Sequence, residues 1–326
     1  MVPTAPDGCR PPAGGRPQDT ARLRLRPLVP DDVEQVTRLL DDWDVARTTS
    51  NIPFPYDRDT GEEFIAKVEE ESAAGRALVY AIEDRLSGDL VGCVGGSVAD
   101  GKAEVGYWLG RAAWGRGVAT EALLRCLRVL FDDYGVASAW ASVLPENKAS
   151  RRVLDKAGFQ FEETRRAELP ARGITADLDF LTLTREAWDG ARRRRPMLLV
   201  AAVALIDADG RVLLARRPAG KSMAGFWEFP GGKLAEGETP EAALVRELRE
   251  ELGIDVSQSC LAALSFVSHD YDSFHLMMPL YACRRWQGTP RPCEGQTLSW
   301  STAAELSRYP MPPADVPLVA ALRDWL

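Results

Sequence analysis

The stretch GGKLAEGETPEAALVRELREELGI, residues 231–254, constrains this chain more than any other part of it. Thr239 is placed as an N-cap, Pro240 takes the first helical position and Gly253 sits where a left-handed C-terminal residue is wanted. These signals predict a helix over about 240–252. At about 100° per residue, Leu244, Val245, Leu248 and Leu252 fall on one stripe while Glu247, Glu250 and Glu251 share an adjacent one. Like charges at that spacing destabilise an isolated helix by roughly 0.2–0.5 kcal/mol per pair, and only Arg246 and Arg249 lie close enough to offset them. A hard divalent cation would compensate, because Mg²⁺ takes oxygen ligands, typically one or two carboxylates plus substrate phosphates and water. The stripe therefore points to a phosphate substrate; a solvated acidic helix face is the plainer alternative.

The full spacing decides between the two. Gly232, five residues, Glu238, seven residues, then Arg246, Glu247, Leu248, Glu250, Glu251, Gly253 and Ile254 match the fixed positions of the Nudix box, nine in 23 residues. With ARRPAGKSMAGFWEFPGGK upstream and RRWQGTPRPCEGQTLSW and YPMPPADVPL downstream, residues 197–326 resemble the MutT-type branch of the Nudix hydrolases. The resemblance implies that Glu247, Glu250, Glu251 and the Gly231 carbonyl bind Mg²⁺ or Mn²⁺. It implies Glu294 as a further ligand or base, and Arg246 as the residue that orients the carboxylates. Arg217, Glu228, Phe229 and Pro230 match the nucleotide pocket, with Phe229 near the base and Ser222 in the covering loop. Asp315 stands where the bacterial pattern often has Asn. The activity implied is Mg-dependent cleavage of 8-oxo-dGTP to 8-oxo-dGMP and pyrophosphate, which clears an oxidised precursor before a polymerase can use it. General NTP or CTP cleavage, and cleavage of CoA or another adenosine diphosphate derivative, are the alternatives.

At 326 residues the chain is long for one domain. ARRRRP, with Arg192 to Arg195, marks the boundary: before it an alternating strand closes in DLDFLTLTREAW, and after it MLLVAAVALI, the turn DADG and RVLLARRP read as a hairpin. The block is the one basic run in a chain with 40 Lys+Arg against 48 Asp+Glu, so a solvated linker is expected and duplex nucleic acid is not a partner. No apolar run approaches the roughly 18 residues of a membrane span. The first 19 residues lack the apolar segment of a signal peptide and read as a disordered Pro/Gly tail, and a cytoplasmic location is expected. Cys9, Cys93, Cys126, Cys260, Cys283 and Cys293 form no CxxC pair and have only His269 and His275 for company, which argues against zinc or redox sites.

The first domain handles phosphate differently. ARLRLRPL reads as a strand, DDVEQVTRLLDDWDV and DTGEEFIAKVEEESAAG as helices, and ALVYAIED, DLVGCVGGSV and AEVGYWLG as three successive antiparallel strands. RAAWGRGVATEALLRCLRVLFDDYG is then a glycine-rich turn opening an amphipathic helix, whose exposed amides suit anionic oxygens such as a pyrophosphate. With SAWASVLPEN and NKASRRVLDKAGF following, residues 20–187 resemble the GNAT acetyltransferases, and Trp114 resembles the branch that acetylates ribosomal protein N-termini. The resemblance implies that Trp114, Gly115, Arg116, Gly117, Val118 and Ala119 hold the acetyl-CoA pyrophosphate, and that Asn147 and Ser150 contact the pantetheine arm and thiol. Amine attack on the thioester needs a base and an acid, for which Glu104 and Ser150 are the candidates; a polar strand position and a helix cap are their plainer readings. The acceptor is left open between a protein N-terminus and a small amine or antibiotic, with a binding module that senses acyl-CoA without turnover as the alternative. The whole is expected to be a two-domain α/β (α+β) protein: a tail at 1–19, a GNAT mixed sheet with flanking helices at 20–187, a basic linker at 188–196 and a Nudix α/β/α sandwich at 197–326.

Overall fold

The computed structural model describes residues 15–326, so Cys9 and most of the expected tail lie outside the described residues. The chain divides into two compact units, with the boundary between Arg194 and Arg195.

The first unit contains β1 (Gln18–Asp19), β2 (Leu23–Pro27), α1 (Val33–Leu40), α2 (Trp43–Ala46), α3 (Arg58–Ala73), β3 (Ala77–Asp84), β4 (Leu90–Ala99), β5 (Lys102–Leu109), α4 (Val118–Asp132), β6 (Ser138–Val143), α5 (Lys148–Ala157), β7 (Gln160–Leu169), β8 (Ile174–Thr184) and α6 (Arg185–Arg193). Its strands form one eight-stranded sheet in the order β1-β2-β3-β4-β5-β6-β8-β7. Strand alternation sends residues to opposite faces. On one face Leu78, Tyr80, Ile82, Val94 and Val105 pack with Leu123, Leu127 and Leu130 of α4; on the other Ala81, Cys93 and Trp108 pack with Val36 and Leu40 of α1. All neighbouring strands are antiparallel except β5 and β6. That parallel pair is matched only from Lys102–Ser138 to Glu104–Trp140, although β5 continues to Leu109 and β6 to Val143, so the strands part beyond Glu104.

Two expectations are corrected here. Gln18 and Asp19 are not tail: they pair with Leu25 and Arg24 as an added edge strand, and the Arg16 carbonyl accepts from the Tyr80 hydroxyl. Nor is 188–196 a linker throughout. Thr184 caps α6, its side chain accepting from the Ala187 N–H, and Trp188 is buried with its ring stacked 5.4 Å from Phe131. Arg192 then pairs with Asp132 at 2.9 Å, which makes part of the basic run the outer face of a packed helix.

The second unit contains β9 (Met197–Leu205), β10 (Val212–Arg216), β11 (Trp227–Glu228), β12 (Gly231–Lys233), α7 (Pro240–Leu252), β13 (Ala262–Asp270), β14 (His275–Cys283), β15 (Thr297–Ser301) and α8 (Val316–Trp325). These make a three-stranded sheet, β11-β10-β15, and a four-stranded sheet, β12-β9-β14-β13, in which β9 and β14 run parallel. The helix read from the sequence forms with its caps: Thr239 accepts from the Ala242 N–H and Gly253 adopts φ 65°. It buries Ala243, Leu244, Leu248 and Leu252 while Val245 stays half-buried, and the last three of the buried set pack against Ala201, Val203 and Leu205 of β9.

Candidate active sites

In the second unit, two glycines bring β12 against both β9 and α7. Gly231 has φ 148°, and a Cβ there would lie 2.1 Å from the Ala201 carbonyl oxygen; a Cβ on Gly232 would lie 2.2 Å from the Glu247 carboxyl carbon. The absent side chains thus leave the space that the Glu247 carboxylate fills. Arg246 holds this corner. It donates to both carboxylate oxygens of Glu238 at 3.0 and 2.9 Å, to Glu247 at 2.8 Å, to Glu250 at 3.3 Å and to the Lys233 carbonyl at 3.2 Å. The bidentate guanidinium, with the Ala235 N–H, holds the Glu238 carboxyl down at about 2.

A cavity of about 380 Å³ opens beside this corner. Its lining includes Glu247, Glu251, Glu294 and Gly231, and also Arg217, Ser222, Glu228, Phe229 and Asp315. Of the expected set, Pro230, Arg246 and Glu250 do not line it, and Glu250 points toward Arg246 on the exposed side of the helix. Glu294 pairs with Lys221, and Arg217 with Glu228 while donating to the Ser222 carbonyl at 2.7 Å. Among the described residues no three acidic, histidine or cysteine side chains converge on one point. Arg246 holds Glu247 and Glu250, while Lys221 holds Glu294.

The donor set nonetheless suits a hard cation. Burial, together with the charges of Glu228, Glu247 and Glu294, pushes the Glu251 carboxyl up to about 7. A site that buries a carboxyl beside three other carboxylates is short of positive charge, and all its donors are oxygens. Asp315 is also pushed up, to about 8, first by complete burial and then by Glu228, against the Phe229 backbone N–H and Arg217. At neutral pH it is a carboxylic acid that can donate as well as accept.

Sequence reasoning passed over Lys221, which pairs with Glu294, and Gln296, whose side chain accepts from the Glu294 N–H at 2.7 Å and donates to the Glu251 carbonyl at 2.8 Å. The EGQ triplet carried a signal for Gln296; nothing in the spacing marked Lys221.

In the first unit, Gly115 and Gly117 adopt positive φ, 71° and 77°, and lead into α4. Arg22 donates to the Arg116 carbonyl at 2.8 Å and is itself tied at 2.7 Å to Glu121 in the first turn of α4, so the pair braces the glycine turn against the helix. Trp114 is exposed, its indole N–H bonded to the Leu109 carbonyl at 2.8 Å. Val118 is buried and Ala119 half-buried in the first turn.

Asn147 caps α5, accepting from the Ser150 N–H at 3.0 Å and donating to the Thr48 carbonyl at 3.3 Å. Ser150 Oγ lies 2.8 Å from the Tyr107 hydroxyl, a partner on β5 that the sequence reading missed. Burial pushes that phenol up to about 12, so it stays protonated. Glu104 stands where β5 and β6 part, on the exposed side of the strand, and desolvation raises its carboxyl. Among the described residues Ser150 bonds to Tyr107 and Asn147, and no hydrogen bond or ion pair joins it to Glu104.

Comparison with known proteins agrees with both halves. A family model described as an acetyltransferase (GNAT) domain matches residues 22–160, and one described as a NUDIX domain matches 201–321. The chain is 40% identical to a CTP pyrophosphohydrolase of Escherichia coli (strain K12) over 126 residues, 38% of this chain and 90% of that protein. It is 47% identical to an 8-oxo-dGTP diphosphatase of Proteus vulgaris over 90 residues, 28% of this chain and 79% of the relative. Over 174 residues, 52% of this chain and 97% of the relative, it is 29% identical to the uncharacterized N-acetyltransferase p20 of Bacillus licheniformis. Among the described residues no helix is long and apolar enough to cross a membrane. The chain therefore joins a GNAT acetyltransferase domain to a second domain that belongs to the NUDIX family.

Proposed function

We propose that the second domain hydrolyses nucleoside triphosphates to monophosphate and pyrophosphate and prefers 8-oxo-dGTP to dGTP. The observation that carries this reading is Asp315, a buried acid that lines the cavity, its carboxyl pushed up to about 8 by that burial. Oxidation at C8 turns guanine N7 from an acceptor into an N–H donor. Along its N7–O6 edge the oxidised base offers one donor and one acceptor, which a carboxylic acid meets with its carbonyl and its O–H. Unmodified guanine offers two acceptors on that edge and leaves the acid's carbonyl oxygen unpaired. A donor–acceptor mismatch of this kind costs about 1–3 kcal/mol. Cytosine, through its N4 amine and N3, offers the same pair as the oxidised base. The likeness to a CTP pyrophosphohydrolase makes CTP the second reading.

A divalent cation bound at Glu247, Glu250 and Glu251, with the Gly231 carbonyl and Glu294, would neutralise phosphate charge and make a bound water a stronger nucleophile. Around it the chain's own groups have separate tasks. Arg246 fixes Glu247 against Glu238, and Gln296 ties the Glu294 loop to the end of α7. Glu294, released from Lys221 as substrate enters, accepts the proton of the attacking water, and Lys221 turns to the phosphates. Water adds at the β-phosphorus, the bond from that phosphorus to the bridging oxygen of the α-phosphate breaks, and the monophosphate leaves with that oxygen.

In the first domain the reading is acetyl transfer from acetyl-CoA to an amine. Glu104 takes the ammonium proton, the freed nitrogen bonds to the thioester carbon, the C–S bond breaks as the nitrogen gives its surplus proton to water, and the thiolate takes a proton from the Ser150 and Tyr107 hydroxyl pair, which water restores. Arg22 and Glu121 keep the glycine turn in shape for the pyrophosphate.

A substrate panel tests both halves. With Mg²⁺ or Mn²⁺ the expected result is pyrophosphate release from 8-oxo-dGTP and CTP, with CoA and ADP-ribose poorer by at least about a hundredfold. Faster cleavage of CoA or ADP-ribose would contradict the triphosphate reading. Release of free CoA with some member of an amine panel, including a peptide with a free N-terminus, is expected; tight acetyl-CoA binding without turnover on any amine would make the first domain a binding module.

A further inference from the structure

The basic run holds one arginine that is neither solvated nor helical. Arg195 opens the second unit with its side chain only 17% exposed, paired with Asp270 at 2.8 Å, and it donates to the Tyr271 carbonyl at 2.6 Å. The next residue continues the attachment: the Pro196 carbonyl accepts from the His275 N–H at 3.0 Å, just before Met197 and His275 pair as β9 and β14 begin. Asp270 ends β13 and His275 starts β14, so these bonds close the turn 271–274 from the side of the incoming chain.

That turn carries Tyr271 and Phe274, whose rings lie 4.8 Å apart and which both line the cavity. Tyr271 is buried, and His269 meets it edge-on at 4.4 Å. An aromatic pair carried on a turn is placed only as firmly as the turn backbone beneath it, which lies outside the strand pairing that fixes β13 and β14. Arg195 holds that backbone directly, one N–H on the Tyr271 carbonyl and another on the Asp270 carboxylate.

We propose that Arg195 is a positioning residue for the nucleotide site: it fixes the turn so that the Tyr271 and Phe274 rings form a rigid wall of the cavity. This rests on reading the cavity as the nucleotide site. Rigid aromatic walls favour a flat base by sparing the entropy of ordering them on binding, so a loosened wall weakens binding and leaves the phosphate chemistry alone.

The test uses the full chain with Arg195→Gln and Arg195→Lys. Without ligand, amide hydrogen exchange over 271–274 is expected to quicken about tenfold in Arg195→Gln, while exchange in α7 and β9 is unchanged. With 8-oxo-dGTP, KM should rise about three- to tenfold with kcat within about twofold. Arg195→Lys, which keeps a charge for Asp270 and loses the planar fork, should recover part of KM. Unchanged exchange over the turn, an unchanged KM, or a general rise in exchange across the whole unit with kcat falling would each overturn the assignment. A wild type that cleaves no nucleotide overturns the reading of the site and this role with it; an active wild type beside an unaltered variant overturns the role alone.

Discussion

Glu251→Gln is expected to cut nucleotide hydrolysis by at least about a hundredfold while leaving acetyl-CoA binding unchanged, because catalytic metal groups contribute several kcal/mol and each domain keeps its own site. The substitution preserves shape and removes charge, and a neutral amide is a poor ligand for a hard cation. Folding should not suffer. Glu251 faces Glu228, Glu247 and Glu294 from a buried position that already pushes its carboxyl up to about 7, so the amide relieves repulsion. Its backbone carbonyl, which accepts from Gln296 and from the Cys293 N–H, is untouched. Initial rates of pyrophosphate release at saturating Mg²⁺, with the melting temperature measured alongside, check both parts. More than about a tenth of wild-type rate, equivalent to under 1.4 kcal/mol, would remove Glu251 from the ligand set.

Gly231→Ala is expected to destabilise the second domain by more than about 3 kcal/mol, through backbone overlap that no rotamer can relieve. Gly231 pairs with Ala202 across β9 and β12, and its φ of 148° brings the new Cβ to 2.1 Å from the Ala201 carbonyl oxygen. The strands must separate, which takes the Gly231 carbonyl and the loop before α7 with them. Gly237→Ala is the control: its φ is 76° but nothing lies within 4 Å, so only strain of about 1–3 kcal/mol is expected there. Thermal unfolding of the two variants should separate them clearly; equal losses would mean that conformation rather than contact makes Gly231 necessary.

How much of this was legible before the structure depended on whether the signal was local. The helix over 240–252 was readable because its start and stop lie in its own sequence, at Thr239, Pro240 and Gly253. The strands before the glycine turn were readable from alternation. Arg192 to Arg195 misled because a charge run resembles a linker when taken alone. The deciding residue, Trp188, is a lone aromatic in a polar segment, and its partner Phe131 is 57 positions earlier. Tyr107 against Ser150 and Lys221 against Glu294 are likewise products of tertiary packing, separated by 43 and 73 residues. Asp315 could be singled out by its identity, whereas the burial that keeps it protonated could not.

The central claim is that a protonated Asp315 selects the oxidised base, and kcat/KM for 8-oxo-dGTP and dGTP across pH 6 to 9 tests it most directly. Because the carboxyl of Asp315 is pushed up to about 8, the donor form prevails below that pH and is lost as pH rises through it. Wild type should therefore prefer 8-oxo-dGTP by at least about five- to 150-fold near pH 6.5, the equivalent of 1–3 kcal/mol, and the preference should shrink above pH 8. Asp315→Asn, which donates and accepts at every pH, should hold its preference level across the range. Equal kcat/KM for the two nucleotides in wild type near pH 6.5 would contradict the account.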